Sequence, residues 1–399
     1  MARLASLALV FQAIGLAVAL PASQGSTTPA AEQWIVALKP EVSSDSDLKL
    51  HARWVSELHA KNVQKRDDAP AGLEKTFQFP GFSAYVGSFD ADTLDAIKHN
   101  PNVTAVERNP EVFLASPVTQ ENPPWGLSAI SHANPPSSSS NYRYDSSAGA
   151  GTFSYVLDSG LLASHREFEG RAALAYDATN GAATDHGHGT HVAGIVGGVT
   201  YGVAKKTSII GVQVTGTSSG SGAWILDGLD WTVRDVISKN RVGKAVINMS
   251  LLTASSTVVN NAVQAAINNG IPVVAAAGNS NIDSADWSPA NLPAAITVAA
   301  SNNNYQRWRN SNWGSVVDLF APGESVTSAW YTSSTSTYTT SGTSQAAPHV
   351  AGVVAYLLAL EGPRTPAQIK ARILALATKN LISDRREVPN LLLYNGNGA

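Results

Sequence analysis

The chain contains no cysteine. Disulfides, thiolate nucleophiles and cysteine-type zinc sites are therefore excluded, while the redox compartment stays open. Charge is sparse too. Charged residues make up 14% of the 399 positions and the net charge is -3, so there is no global basic field for nucleic acid and no signal for an anionic membrane. Hydrophobic residues reach 44%, which excludes a disordered chain and suffices for two or three domains with a large core. Uncharged apolar runs long enough to matter are confined to the N-terminus. There Arg3 precedes apolar residues 4–11 and 14–20, and small residues bracket a cut between Ala19 and Gly25. A basic start, an apolar middle and a small-residue end read as a secretory signal peptide over 1–20. Gln12 and Pro21 argue against a membrane anchor.

Residues 21–116 carry most of the Lys, Glu and Asp clusters. Residues 34–38 read as a strand, and Leu48, Ala52, Val55 and Leu58 fall at helical spacing. Phe82, Ala84 and Val86 alternate as in a strand, 92–97 reads as a capped helix, and 103–106 as a further strand. Strand-helix-strand-strand-helix-strand predicts a small α+β, ferredoxin-like module. Asn102-Val103-Thr104 is a plausible glycosylation sequon, whereas Asn248-Met249-Ser250 ends an apolar run and is expected to be buried.

From 117 to 399 the composition turns to Ser, Gly, Ala and Val. Strands are expected at 153–157, 208–214, 245–249, 271–277 and 296–299, and helices at 189–197, 223–239, 257–269, 344–361 and 365–378. That alternation predicts an α/β fold, a mainly parallel sheet flanked by helices. Residues 135–140 and 332–340 read as polar loops.

Three stretches carry chemistry. YVLDSG puts Asp158 at the end of a buried strand, and DHGHGTHVAG puts His188 just before a helix. SGTSQAAPHVAG puts Ser344 at the start of an Ala-rich helix, where unpaired backbone N–H groups favour an oxyanion. Pro348 fits that helix if it falls in the first turn. Acyl transfer by serine needs a base for the hydroxyl proton and a carboxylate to orient that base.

With these motifs and VVAAAGNSN in order, the chain resembles fungal secreted subtilisin-like serine proteases of the proteinase K type. The order Asp, His, Ser is that of subtilisin. The resemblance covers about 118–399, and residues 33–113 resemble the inhibitor-type propeptide of the same proteases. It implies a secreted endopeptidase, made as a self-processing zymogen and acting as a monomer on proteins and peptides. Its own propeptide would serve as inhibitor and chaperone. Asp158, His188 and Ser344 would be the triad, and Asn279 the side-chain oxyanion donor. Ser218, Ser219, Gly220, Ser221, Ser250, Leu251 and Leu252 would border the substrate groove. Ala276, Ala277 and Gly278 would floor an apolar pocket for the residue before the cut. No cofactor is implied for catalysis. A structural calcium is implied at Asp318 with the carbonyls of Pro293 and Ala295. Two departures stand out. Gln345 replaces the usual Met after the nucleophile, and Leu252-Thr253 replace a Gly-Gly pair that lines the cleft.

Competing readings remain. Gly216-Thr217-Ser218-Ser219-Gly220 matches an esterase elbow, with Asp283 and His349 following in order. His186, His188 and His191 suggest a metal site, though without the HExxH spacing. Leu252, Thr253 and Gln345 would suit a catalytically dead binding protein on the same scaffold.

Overall fold

Short β-branched runs and capped amphipathic stretches become two units in the computed structural model, divided between Phe113 and Leu114. The structure describes residues 33–42, 44–63, 69–109, 117–134, 140–181, 186–216 and 219–396. The expected signal peptide and Ser218 lie outside the described residues.

The first unit runs β1 (Trp34–Leu38), α1 (Asp45–Asn62), β2 (Gly72–Phe79), β3 (Phe82–Ser88), α2 (Ala91–Lys98) and β4 (Val103–Arg108). Its sheet has the order β2-β3-β1-β4 with every pair antiparallel. Ser44 starts α1 through a capping box with Asp47, and the Asp90 carboxylate accepts the Asp92 and Thr93 N–H groups at the start of α2. Val36, Leu48, Val55, Tyr85 and Ile97 form the core. Phe77, Phe79 and Phe82 stay exposed, with Phe79 stacked on Phe82. Asn102 is exposed just before β4.

The second unit begins with β5 (Pro117–Glu121), α3 (Trp125–Ile130), β6 (Asn141–Asp145), β7 (Phe153–Asp158), β8 (Ala172–Asp177), α4 (Gly187–Gly197), β9 (Ser208–Gln213) and α5 (Gly222–Ser238). It continues with β10 (Ala245–Met249), β11 (Thr253–Ala254), α6 (Thr257–Asn268), β12 (Val273–Ala276), β13 (Trp287–Ser288), β14 (Ile296–Ser301) and β15 (Leu319–Pro322). It ends with β16 (Val326–Ala329), β17 (Thr337–Thr340), α7 (Thr343–Glu361), α8 (Pro366–Leu376), β18 (Thr378–Lys379) and β19 (Leu391–Leu392). The main sheet has the order β18-β19-β15-β14-β12-β10-β7-β9-β8, parallel except for β18 against β19. Every residue of β10, β12 and β14 is buried, as expected for parallel strands covered on both faces. Asn248 is among them, as expected.

Helices α4 and α7 are buried along most of their length, so apolar residues fall on every face rather than on one stripe. They pack directly on each other, and Gly352 permits this. A Cβ there would stand 2.6 Å from Val203 Cβ and 3.0 Å from the Val196 carbonyl. Helices α5 and α6 pack together, with Leu229, Val236, Val259 and Val263 in a second core cluster.

Three expectations need correction. The strands β8 and β15 were not foreseen, because AALAYD and LFAP are too short and mixed to show a clear period. Residues 337–340, expected as loop, form β17 against β16. Pro348 lies beyond the first turn, since α7 starts at Thr343. Its missing N–H frees the Ser344 carbonyl, which accepts the Ser250 hydroxyl at 2.9 Å instead.

Candidate active site

Strand β7 is flanked by β9 on one side and β10 on the other, so the chain reverses direction across the sheet there. The carboxyl edge of such a switch point is where α/β proteins place their sites. Asp158 ends β7 at that edge and is 2% exposed. Its Oδ1 lies 2.7 Å from His188 Nδ1 and also accepts the Ser159 N–H at 2.7 Å. Its Oδ2 has no partner among the described residues. His188 is the second residue of α4, and Gly189 makes its approach possible. A Cβ at Gly189 would stand 1.9 Å from the Gly160 carbonyl oxygen. Burial lowers the His188 pKa, but the Asp158 charge and hydrogen bond outweigh it, and the net direction is upward. The imidazole remains 40% exposed.

Ser344 is the second residue of α7, where its N–H has no intrahelical acceptor. Its Oγ donates to the Ser250 carbonyl at 3.2 Å, while Ser250 Oγ donates back to the Ser344 carbonyl. Ser250 lines a cleft of about 280 Å³ together with Asp158 and His188. The two serines thus join the start of α7 to the cleft that holds the Asp158–His188 pair. Gln345 is buried, and its carbonyl is 2.8 Å from His349 Nδ1.

Asn279 follows Gly278 and is exposed. Its Oδ1 accepts the Thr343 N–H at 2.8 Å and the Thr343 hydroxyl at 2.9 Å. That leaves Nδ2 as a donor with no hydrogen bond among the described residues. Thr343 Oγ1 also accepts the Gly278 N–H at 2.9 Å, and Asn312 holds the loop through Ser280, Ile282 and Ala277. Thr343 and Asn312 escaped the sequence reading. Thr343 lies inside the serine motif, but nothing in its spacing marks it as a brace.

Ser219, Gly220, Ser250, Leu251 and Leu252 line the same cleft, and Ser221 caps α5 through the Trp224 N–H. Ala276, Ala277 and Gly278 are buried at the end of β12. Gly278 has φ +110°, and a Cβ there would stand 2.8 Å from Leu252 Cδ1. Leu252 therefore reaches the Gly278 backbone. Thr253 pairs with Ser288 in β11–β13 instead, so its backbone is tied outside the cleft lining.

The competing constellations come apart. His349 is buried in α7, with Nε2 against Gly126, while Asp283 caps a short helix turn and accepts the Ala285 N–H. His186 Nδ1 pairs with the Ser159 carbonyl, and His191 Nε2 with the carbonyls of Val326 and Tyr338. Burial lowers the His191 pKa to about 4. Among the described residues no group of three His, Asp or Glu side chains is placed to hold a metal ion.

The residues expected to hold calcium do converge, but they do not fit the ion. Lys370 Nζ donates to Pro293 O at 2.9 Å and to Ala295 O at 2.6 Å, and it lies 2.8 Å from Asp318 Oδ2. An ammonium group fills the place the ion would need.

An α/β sheet with a carboxylate-braced histidine and a helix-borne serine at its carboxyl edge defines a class, the serine hydrolases that use a braced imidazole. The comparisons narrow that class. A profile of the subtilase family matches residues 149–398, and one of the peptidase inhibitor I9 family matches 33–115. The chain is 46% identical over 369 residues to alkaline protease 1 of Aspergillus clavatus, covering 91% of each chain. It is 46% identical over 412 residues to an alkaline proteinase of Hapsidospora chrysogena, covering all of both. A cold-adapted subtilisin-like serine proteinase of known structure superposes with a TM-score of 0.65 at 42% identity, covering 69% of this chain and 99% of that one. The chain belongs to the subtilase family. It is a serine endopeptidase carrying an N-terminal inhibitor-type propeptide.

Proposed function

We propose that the protein is a secreted endopeptidase that removes its own propeptide and cuts proteins after apolar or aromatic residues. In this reading residues 1–20 are the signal peptide, 21–116 the propeptide and 117–399 the mature enzyme. Ser344 Oγ attacks the peptide carbonyl and passes its proton to His188 Nε2. Asp158 accepts the Nδ1–H and holds that tautomer. Asn279 Nδ2 and the Ser344 N–H hold the oxyanion. His188 then protonates the leaving amine, and water releases the acyl group by the same route. No step calls for a metal or an organic cofactor.

The single observation that carries the reading is the 2.7 Å contact between Asp158 Oδ1 and His188 Nδ1. The exchange between Ser344 and Ser250 is compatible with it. Catalytic hydrogen bonds are often loose before substrate binds, and in this reading Ser344 Oγ exchanges the Ser250 carbonyl for the imidazole when substrate arrives.

The preference is what the resemblance implies: Ala276, Ala277 and Gly278 would floor the pocket and offer no acidic partner for a Lys or Arg substrate, although none of the three is among the residues that line the cleft. Leu252 lines the cleft and reaches the Gly278 backbone, so it would limit the space there. Ser344→Ala tests the whole reading. The variant should show no proteolysis and should keep its propeptide when expressed. A processed, active Ser344→Ala protein would refute both the nucleophile and the self-processing.

A further inference from the structure

Lys370 stands in the second turn of α8, a helix fixed by the Thr365–Gln368 capping box and by buried Ile369 and Ile373. Those anchors direct its ammonium at one spot. The Nζ lies 2.9 Å from Pro293 O, 2.6 Å from Ala295 O and 2.7 Å from Asp318 Oδ1. An ammonium has three protons, and two carbonyls and one carboxylate take them all. The ammonium also lies 2.8 Å from Asp318 Oδ2, and that oxygen accepts the Thr297 N–H at 2.8 Å as well. The side chains of Lys370 and Asp318 are only 18% and 17% exposed, so the pair is largely withdrawn from water.

Calcium requires about six to eight oxygens at about 2.3–2.6 Å. Here the two carbonyls and the carboxylate surround a nitrogen. The nitrogen brings the positive charge that Asp318 needs, so a divalent ion would have to displace a tethered cation.

We propose that Lys370 is a covalently attached substitute for the structural calcium that the resemblance implies. The loop from Pro293 to Ala295 and the entry to β15 are then locked without metal. The lock is insensitive to chelators, and removing the amine uncovers a calcium site made of the same oxygens. The inference is independent of the catalytic roles proposed above.

The test is thermal unfolding of the mature enzyme, first inactivated with phenylmethanesulfonyl fluoride to stop autolysis. Wild type, Lys370→Met, Asp318→Asn and the double variant are each compared in EDTA and in millimolar calcium chloride. The difference in Tm between EDTA and calcium should be the same in wild type as in Asp318→Asn. Lys370→Met in EDTA should lose on the order of 5–10 °C, because it leaves a buried carboxylate unpaired. Calcium should restore at least about half of that loss in Lys370→Met and none in the double variant. If Lys370→Met does not fold, Lys370→Gln carries the same comparison. A larger EDTA effect in wild type than in Asp318→Asn would overturn the proposal, because these oxygens would then already bind the ion. A Lys370 variant stabilised no more by calcium than the double variant would overturn the uncovered site.

Discussion

At the Lys370 cage every ammonium proton has an acceptor, whereas the catalytic edge keeps polar groups in reserve. Asp158 Oδ2 has no partner, and Asn279 Nδ2 donates to nothing among the described residues. Ser344 Oγ holds a 3.2 Å bond that it would have to give up to act as the proposed nucleophile. Full satisfaction locks a structure, because leaving a buried polar group unpaired is costly. Spare donors and acceptors are what a transition state needs, since they become occupied only as charge develops. The two sites share one unit and one chemistry of hydrogen bonds, and they differ in how much is left unmade.

The comparison breaks most sharply at Asp158. Asp158→Asn should reduce kcat by about four powers of ten, because the amide holds the wrong His188 tautomer. The pH profile should move as well. A protonated imidazole cannot take the serine proton, so wild-type kcat/KM should fall as pH drops through the His188 pKa. That pKa lies above the ordinary 6.5, held there by Asp158 against burial. The residual activity of Asp158→Asn should therefore fail at a lower pH than wild type. An unmoved midpoint would separate Asp158 from the titrating base.

A smaller effect is expected at Asn279. If Asn279 Nδ2 holds the oxyanion as proposed, Asn279→Ala should cost about 10²- to 10³-fold in kcat with little change in KM, although it also removes the Oδ1 that accepts the Thr343 N–H and hydroxyl. Equal losses in KM and Tm would instead make it a brace for Thr343. By contrast, Lys370→Met should lower Tm and leave kcat/KM in place, the reverse pattern.

The smallest effect concerns the groove. If Leu252 narrows the groove, Leu252→Gly should raise kcat/KM for peptides with bulky residues relative to small ones by about 10- to 200-fold, whereas Thr253→Gly should change the ratio little. Peptide pairs differing at one residue would measure this. Equal ratios in Leu252→Gly and wild type would remove Leu252 from the groove.

Much was legible without coordinates. Local period and capping placed helices α4 to α8 and the central strands, because buried parallel strands and apolar helices write their environment into short windows of sequence. Acyl transfer asks for a nucleophile, a base and a carboxylate, and the motifs offered Ser344, His188 and Asp158, whereas Asn279 came only from the resemblance, because an Asn after Gly reads first as a turn residue. What only the tertiary structure decided involves partners far apart in the chain. Strand β8 at the sheet edge and β15 between β14 and β19 owe their state to their neighbours, not to their own pattern. Pro348 could move past the first turn because Ser250, 94 residues from Ser344, supplies the lost hydrogen bond. Leu252 and Thr253 are adjacent and looked alike as intruders, yet pairing with Ser288 ties the Thr253 backbone into β11–β13. Asp318 gave the same sequence signal for a metal ion as for a salt bridge. Lys370, 52 residues further on, answers it, because a charge can be neutralised by any cation that the fold brings within reach.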